Sequence, residues 1–133
     1  AAAQALVMRP GDFDVLVMEN FIGDILSDLG GGTVGGIGLC PSGNVGEDRA
    51  YFEPIHGSAP DIAGEDRANP ISQILSLGLM LDYLGETEAA KAVESAVWQA
   101  LETGTLAIAS NGQPIKGTKA AAEAITKALE EVP

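Results

Sequence analysis

Glu53-Pro-Ile-His-Gly-Ser-Ala-Pro-Asp-Ile-Ala-Gly64, closed by Asn69-Pro70, is the stretch that decides how this chain is read. It places a carboxylate (Glu53), an imidazole (His56), the small residues Gly57, Ser58 and Ala59, and a second carboxylate (Asp61) in one turn-rich loop. Small residues let backbone approach a ligand closely. Successive N–H groups in such a loop, next to a helix start, suit phosphate oxygens. An Asp placed beyond them accepts hydrogen bonds from ribose hydroxyls and repels a 2′-phosphate, which is how dinucleotide sites prefer NAD to NADP. Each residue alone has a plainer role. His56 could serve as a core imidazole, a base or a stacking partner for a purine, and taken alone a structural histidine is the plainer reading. Asp61 after Pro60 is a natural turn cap, and Asn69 before Pro70 is a helix N-cap. The combination carries the signal. No GxGxxG motif follows a strand, so this is not the ordinary Rossmann fingerprint.

Outward from the loop, Arg49–Glu53 alternates enough to be a strand leading into it. Upstream, Thr33–Asp48 carries Gly35, Gly36, Gly38, Gly43 and Gly46 and reads as a bending connection with short extended pieces, a natural boundary between lobes. Before it, a helix is expected from about Phe21 to Leu29, stopped by Gly30-Gly-Gly32. Phe13-Asp-Val-Leu-Val-Met18 is apolar and rich in β-formers, as in a buried strand. The chain opens on Ala1 within an expected helix (residues 1–8), as a truncated start does. Downstream, Asn69-Pro70 starts a helix whose apolar residues from Ile71 to Leu81 are too many for one stripe, so burial on most sides is expected. Gly85 ends it. Thr87 opens another helix with Val93, Val97 and Leu101 at i, i+4, i+8, and Gly104 closes that one. Thr118 is expected to cap a last alanine-rich helix that turns Ile125 and Leu129 inward. Strands early and helices late make the class α/β.

Asp24 and Asp28 lie four apart and share one helix face. Like charges at that spacing repel, and the helix dipole compensates mainly the one nearer the N-terminus. A divalent cation would reverse the sign of the interaction, and hard carboxylate oxygens suit Mg²⁺ or Mn²⁺. For the pair alone, a solvated helix face is the plainer explanation. The apolar remainder of the helix (Phe21, Ile22, Ile25, Leu26, Leu29) favours a directed pair. With one His and one Cys, the chain has no ligand cluster for zinc.

Seven basic against nineteen acidic residues give a net charge of −12. A surface this negative repels phosphate backbones, so nucleic acid is not an expected partner. No apolar run reaches the roughly 18 residues of a membrane span, and no membrane partner is expected. The single Cys40 excludes an internal disulfide, suits a reducing cytoplasm, and is expected to be a packed rather than a reactive thiol.

At these residues the sequence resembles the isocitrate/isopropylmalate dehydrogenase family of metal-dependent β-decarboxylating dehydrogenases. The resemblance runs through Phe13-Asp-Val-Leu-Val17, Glu19-Asn-Phe-Ile-Gly-Asp-Ile-Leu-Ser-Asp28, Pro41-Ser-Gly-Asn-Val-Gly46, Phe52 to Gly64, Ala68-Asn-Pro70 and Gly117-Thr118. It implies the carboxyl-terminal part of a two-lobed α/β fold, with residues 1–34 in a dimerisation and metal-binding lobe and residues 35–133 in a cofactor-binding lobe. It implies that Asp24 and Asp28 ligate Mg²⁺ or Mn²⁺. It further implies that the 53–64 loop, from Glu53 onward, binds the adenosine half of NAD together with Asn69. In that match His56 and Asn69 address the adenine, Gly57, Ser58 and Ala59 lie by the phosphates, and Asp61 takes the ribose. NADP-using members usually carry Lys-Tyr where this chain has Asp61-Ile62, so NAD is the implied cofactor. Glu65-Asp-Arg67 departs from a commoner Lys-Gly-containing turn.

The reaction implied is NAD-dependent oxidative decarboxylation of a 2-hydroxy di- or tricarboxylic acid of the isopropylmalate or isocitrate class, by a homodimer. The resemblance places the catalytic Tyr and Lys, the substrate-binding arginines and a third metal Asp upstream of Ala1. No catalytic residue is therefore expected within these 133 residues, and the chain is expected to be an incomplete part of one enzyme, inactive alone. The rival expectation is a non-catalytic nucleotide-binding or regulatory module of the same family, against which the retention of both Asp24 and Asp28 counts.

Overall fold

The computed structural model describes residues 1–132. Helix α1 (Ala2–Met8) packs on α2 (Asn20–Thr33), a hairpin of β1 (Pro41–Val45) and β2 (Ala50–Pro54) follows, and α3 (Ile71–Tyr83), α4 (Thr87–Glu102) and α5 (Thr118–Glu131) complete the chain. The class is α/β, as expected, with its strands confined to that antiparallel hairpin. Its register pairs Pro41 with Pro54, Gly43 with Phe52 and Val45 with Ala50. Gly43 has no room for a side chain, because a Cβ there would stand 2.9 Å from the Phe52 ring. Phe52 in turn meets Tyr83 at a centroid distance of 5.6 Å, which seats β2 on the end of α3.

The core lies where α3, α4 and α5 meet. Ile71 from α3, Ala96, Val97 and Ala100 from α4, and Ala121 and Ile125 from α5 are buried. Alanines at the contacts let helix backbones approach closely while Ile71, Val97 and Ile125 supply the apolar area. Two buried serines face the hairpin side without being orphaned. Ser76 Oγ donates to the Ser72 carbonyl at 2.8 Å, and Ser72 Oγ donates to the Cys40 carbonyl. Both are back-bonded or cross-linked, so α3 is tied to the start of β1 at little desolvation cost.

Five sequence expectations need correction. Phe13–Met18 has no ladder partner and is not a strand; Val17 is 92% exposed. A strand needs a neighbour for its N–H and C=O groups, and the sheet here consists of β1 and β2 alone. Helix α2 does not stop at Gly30–Gly32 but runs to Thr33. Those glycines keep helical angles, and the chain turns only at Gly35 and Gly36, whose φ values are +110° and +124°. Helix α3 is less enclosed than expected: Ile71 is buried, whereas Leu77 and Leu79 are exposed. Leu129 is 38% exposed, and the inward face of α5 is formed by Ala121, Ile125 and Ala128. Thr118 is the first residue of α5 rather than its cap; the cap comes from Asp66, described below. Gly85 and Gly104, with φ of +84° and +71°, do end α3 and α4 as expected.

Candidate functional site

Helix α2 begins after Glu19, whose Oε1 accepts the N–H groups of Phe21 (2.6 Å) and Ile22 (3.2 Å). Sequence reading missed this cap because glutamate is not among the usual N-cap residues. The only sign was its place immediately before an apolar helix. Asp24 and Asp28 stand on the exposed side of α2, one turn apart. Ser27 turns its hydroxyl back to the Asp24 carbonyl at 3.1 Å, so it leaves the carboxylates alone. Neither carboxylate accepts a hydrogen bond or pairs with a cation among the described residues. Two free hard-oxygen donors at i, i+4 fit part of an octahedral Mg²⁺ or Mn²⁺ shell. No third His, Cys, Asp or Glu joins them among the described residues. The remaining ligands in such a shell would have to be waters, substrate oxygens or groups from elsewhere.

The loop leaves β2 at Glu53, whose Oε1 accepts the Tyr51 hydroxyl. His56 is half-buried, and its Nδ1 lies 2.9 Å from the Gly57 carbonyl. A carbonyl only accepts, so Nδ1 carries the proton, and in the neutral ring Nε2 is left as an acceptor. Gly57, Ser58 and Ala59 are exposed, and none donates its backbone N–H to another described residue. Ala59 sits in the left-handed region (φ +45°, ψ +60°), an uncommon state for a residue with a Cβ. Pro60–Ile62 then forms a single 3₁₀ turn, closed by Ile62 N–H to the Ala59 carbonyl at 3.1 Å. Its tip presents the exposed Asp61, while Ile62 is half-buried and anchors the turn. The Asp61 carboxylate takes no partner among the described residues. Three unengaged N–H groups followed by a free carboxylate are the donor and acceptor set that a dinucleotide's phosphates and ribose hydroxyls call for.

Asn69 also ties the start of α3 to the segment around Gly112. Its Oδ1 accepts Ile71 N–H at 3.0 Å, which caps α3, and its Nδ2 donates to the Gly112 carbonyl at 2.9 Å. Gly38 backs onto it so closely that a Cβ there would lie 2.9 Å from the Asn69 Cβ. Each end of the amide thus has one partner, and a second Nδ2 hydrogen and Oδ1 lone pair, with the backbone, remain for a ligand.

The Asp24/Asp28 pair and the loop lie on elements that touch. Gly31 of α2 is buried; a Cβ there would lie 3.2 Å from Ile37, 3.5 Å from Cys40 Sγ and 3.6 Å from Ile55, the residue before His56. Asp28 precedes Gly31 by three residues, about 4.5 Å along the helix axis. The structure therefore seats the helix carrying the carboxylates against the strand end that launches the loop, with no direct bond between Asp24 or Asp28 and residues 53–64 among those described. Cys40 is a packed thiol, as expected: its Sγ lies 3.8 Å from the Gly36 carbonyl, and burial pushes its pKa above the ordinary 9.0. Little thiolate forms at neutral pH, so Cys40 is a poor nucleophile.

Downstream, residues 65–69 are bound to 112–119 by contacts that the sequence did not reveal. Arg67 pairs with Glu65 at 2.9 Å and reaches Gln113 Oε1 at 3.4 Å. Thr118 Oγ1 donates to the Ala68 carbonyl at 2.6 Å, and Asp66 accepts two backbone N–H groups of α5. The partners are about fifty residues apart, so no local pattern announces them.

The chain is similar to known proteins in both sequence and fold. Residues 1–129 match the family described as isocitrate/isopropylmalate dehydrogenase. The isocitrate/homoisocitrate dehydrogenase of Thermus thermophilus is 57% identical over 129 residues, 97% of this chain and 37% of that protein. A probable NAD isocitrate dehydrogenase subunit alpha, mitochondrial, of Caenorhabditis elegans is 52% identical over 99 residues, 74% of this chain and 28% of that protein. The crystal structure of isocitrate dehydrogenase from Methylococcus capsulatus superposes with a TM-score of 0.87 at 43% identity, covering 96% of this chain and 38% of that one. The chain thus spans well under half the length of the relatives it matches, and within that span it is similar to them in sequence and fold. It belongs to the isocitrate/isopropylmalate dehydrogenase family.

Proposed function

We propose that this chain supplies two metal carboxylates and the adenosine-binding loop of an NAD-dependent, Mg²⁺- or Mn²⁺-dependent β-decarboxylating dehydrogenase. Its substrate would be a 2-hydroxy di- or tricarboxylic acid of the isocitrate or 3-isopropylmalate class. The observation that carries this proposal is the loop itself. Gly57, Ser58 and Ala59 hold their N–H groups free in a segment fixed between β2 and the Asn69 cap, ahead of an unpaired Asp61. Unpaired surface carboxylates are common in a chain of net charge −12, so Asp61 counts only because of that setting.

In the proposed site Asp24 and Asp28, on one face of α2, would hold the cation through their carboxylate oxygens. Gly57 to Ala59 bind the cofactor phosphates through backbone N–H groups, which offsets the unfavourable global field by local dipoles. His56 Nε2 and the Asn69 backbone address the adenine, Asp61 accepts from the ribose hydroxyls, and Glu53 and Ile62 hold the two ends of the loop. When bound, the cation supplies Lewis-acid polarisation of substrate oxygens and NAD supplies the hydride acceptor. Proton transfer falls to groups outside residues 1–133.

Residues 1–34 are assigned to a dimerisation and metal-binding lobe and residues 35–133 to a cofactor-binding lobe, with Pro133 outside the described residues. The exposed apolar side of α2 supports a homodimer: Phe21 is 69% exposed, with Ile22 and Ile25 beside it. Among the described residues no helix is long and apolar enough to cross a membrane.

Turnover tests the proposal. The 133-residue chain alone should show none, and the complete enzyme containing it should reduce NAD with isocitrate, homoisocitrate or 3-isopropylmalate in the presence of Mn²⁺. Failure of the complete enzyme on all three acids would contradict the assignment.

A further inference from the structure

We propose that Asp66 is a positioning residue, a latch that holds the downstream end of the 56–62 loop to the N-terminus of α5 and thereby sets dinucleotide affinity; the second half of this inference rests on the ligand assigned above to the loop. Between Ile62 and the start of α3 at Ile71 the chain has no regular secondary structure. Its position depends on individual contacts, and they converge on residue 66. The Asp66 carbonyl accepts Thr118 N–H at 3.1 Å, and its Oδ1 accepts Lys119 N–H at 2.9 Å. One residue therefore satisfies two of the N–H groups that the first turn of α5 leaves open. The carboxylate also stands at the positive end of the helix dipole, the favourable end for an anion.

The backbone at residue 66 is specialised for this. Its φ is +55°, in the left-handed region that Asp and Asn tolerate better than other side chains do. On the opposite side Gly117 lies so close that a Cβ there would be 2.7 Å from both the carbonyl oxygen and Oδ2 of Asp66. The contact is thus side chain and backbone at once. A short path leads from the latch to the loop: Glu65 N–H donates to the Ile62 carbonyl at 3.1 Å, and Ile62 closes the turn on Ala59. Movement at 66 passes through 65 to the turn that presents Asp61. The contact from Thr118 Oγ1 to Ala68 and the Arg67–Gln113 contact flank the latch and resist rotation about it.

Three variants separate the parts. Asp66→Gly keeps the left-handed backbone and removes the carboxylate; Asp66→Asn keeps both the conformation and an acceptor oxygen; Asp66→Ala loses both. Amide hydrogen exchange is read on Ile62, Ala63 and Glu65, whose N–H groups are hydrogen-bonded within the turn, and on the α4 core residues 93–100, and dinucleotide KM and kcat are read in the complete enzyme. Expected for Asp66→Gly are faster exchange at Ile62, Ala63 and Glu65 with unchanged exchange at 93–100, and a dinucleotide KM raised about five- to tenfold, the scale of losing one helix cap, with kcat nearly unchanged. Asp66→Asn should restore most of both, and Asp66→Ala should exceed Asp66→Gly. A purely structural cap would lower the melting temperature while leaving loop exchange and KM unmoved, and that result overturns the latch. If loop exchange responds as expected but the wild-type enzyme has no dinucleotide affinity, the latch stands and the ligand assignment falls.

Discussion

Asp24→Asn or Asp28→Asn should lower metal-dependent turnover of the complete enzyme by about 100-fold or more, while leaving the fold intact or slightly more stable. The size follows from removing a direct ligand: losing even an outer partner of a metal ligand typically costs about 10–100-fold. Asparagine retains an oxygen but not the charge that holds a hard dication. The sign of the stability change is the sharper part. Neither carboxylate has a partner among the described residues, so no hydrogen bond or ion pair is broken by neutralising it, and only Asp24 gives up a dipole interaction, which offsets part of its gain. Their mutual repulsion at i, i+4 is relieved, which is favourable by a few tenths of a kcal/mol in a helix. Activity should therefore fall while the melting temperature without metal stays level or rises, and added Mn²⁺ should stabilise the wild type more than either variant. Were the pair a solvated helix face, asparagine would leave turnover and Mn²⁺ stabilisation unchanged.

Gly117→Ala should destabilise the chain by about 2–4 kcal/mol, from backbone strain and overpacking together. Its φ of +92° and ψ of +168° place Gly117 in a region open essentially to glycine alone. The added Cβ would also stand 2.7 Å from the Asp66 carbonyl oxygen, a backbone atom that cannot swing aside as a side-chain end would. A loss of this size is a large fraction of the stability of a small domain, so thermal or urea unfolding reads it directly. Gly11→Ala is the matched comparison: nothing lies within 4 Å of a Cβ at Gly11, and its φ is not in the left-handed region. Gly11→Ala should change stability by less than about 1 kcal/mol. Equal effects at the two glycines would contradict the close approach between residues 66 and 117.

Much of the candidate site was legible in the sequence because its signals are local. Asn69-Pro70 announces the start of α3, and Asn69 does cap it. Gly57-Ser-Ala59 announces close backbone approach, and the segment is an exposed, unengaged run. Misreadings arose where long-range partners decide the outcome. The β-forming character of Phe13–Met18 is real, but a strand exists only with a neighbour, and among residues 1–132 there is none. Gly30–Gly32 has a helix-stopping composition, yet Gly31 is held helical by packing on Ile37, Cys40 and Ile55 that no glycine count reveals. Asp66 was seen only as a departure in a turn, because the N–H groups it caps lie on a helix more than fifty residues on. Leu129 looked inward by periodicity, but the alanine face of α5 approaches α4 more closely and takes the contact instead.

The central claim is that the loop ending in Asp61 binds the adenosine half of NAD. Its most direct test is the ratio of kcat/KM for NAD to that for NADP, measured on the complete enzyme and on Asp61→Lys/Ile62→Tyr. Asp61 is exposed and unpaired at the turn tip, so the substitution breaks no contact of that side chain. The wild type should favour NAD, since a carboxylate accepts from ribose hydroxyls and repels a 2′-phosphate. The double variant should move the ratio toward NADP by about tenfold or more, the effect of replacing a repelling charge with an attracting one at hydrogen-bond range. A ratio that is the same in both enzymes would contradict the role given to Asp61, and with it the account of the loop.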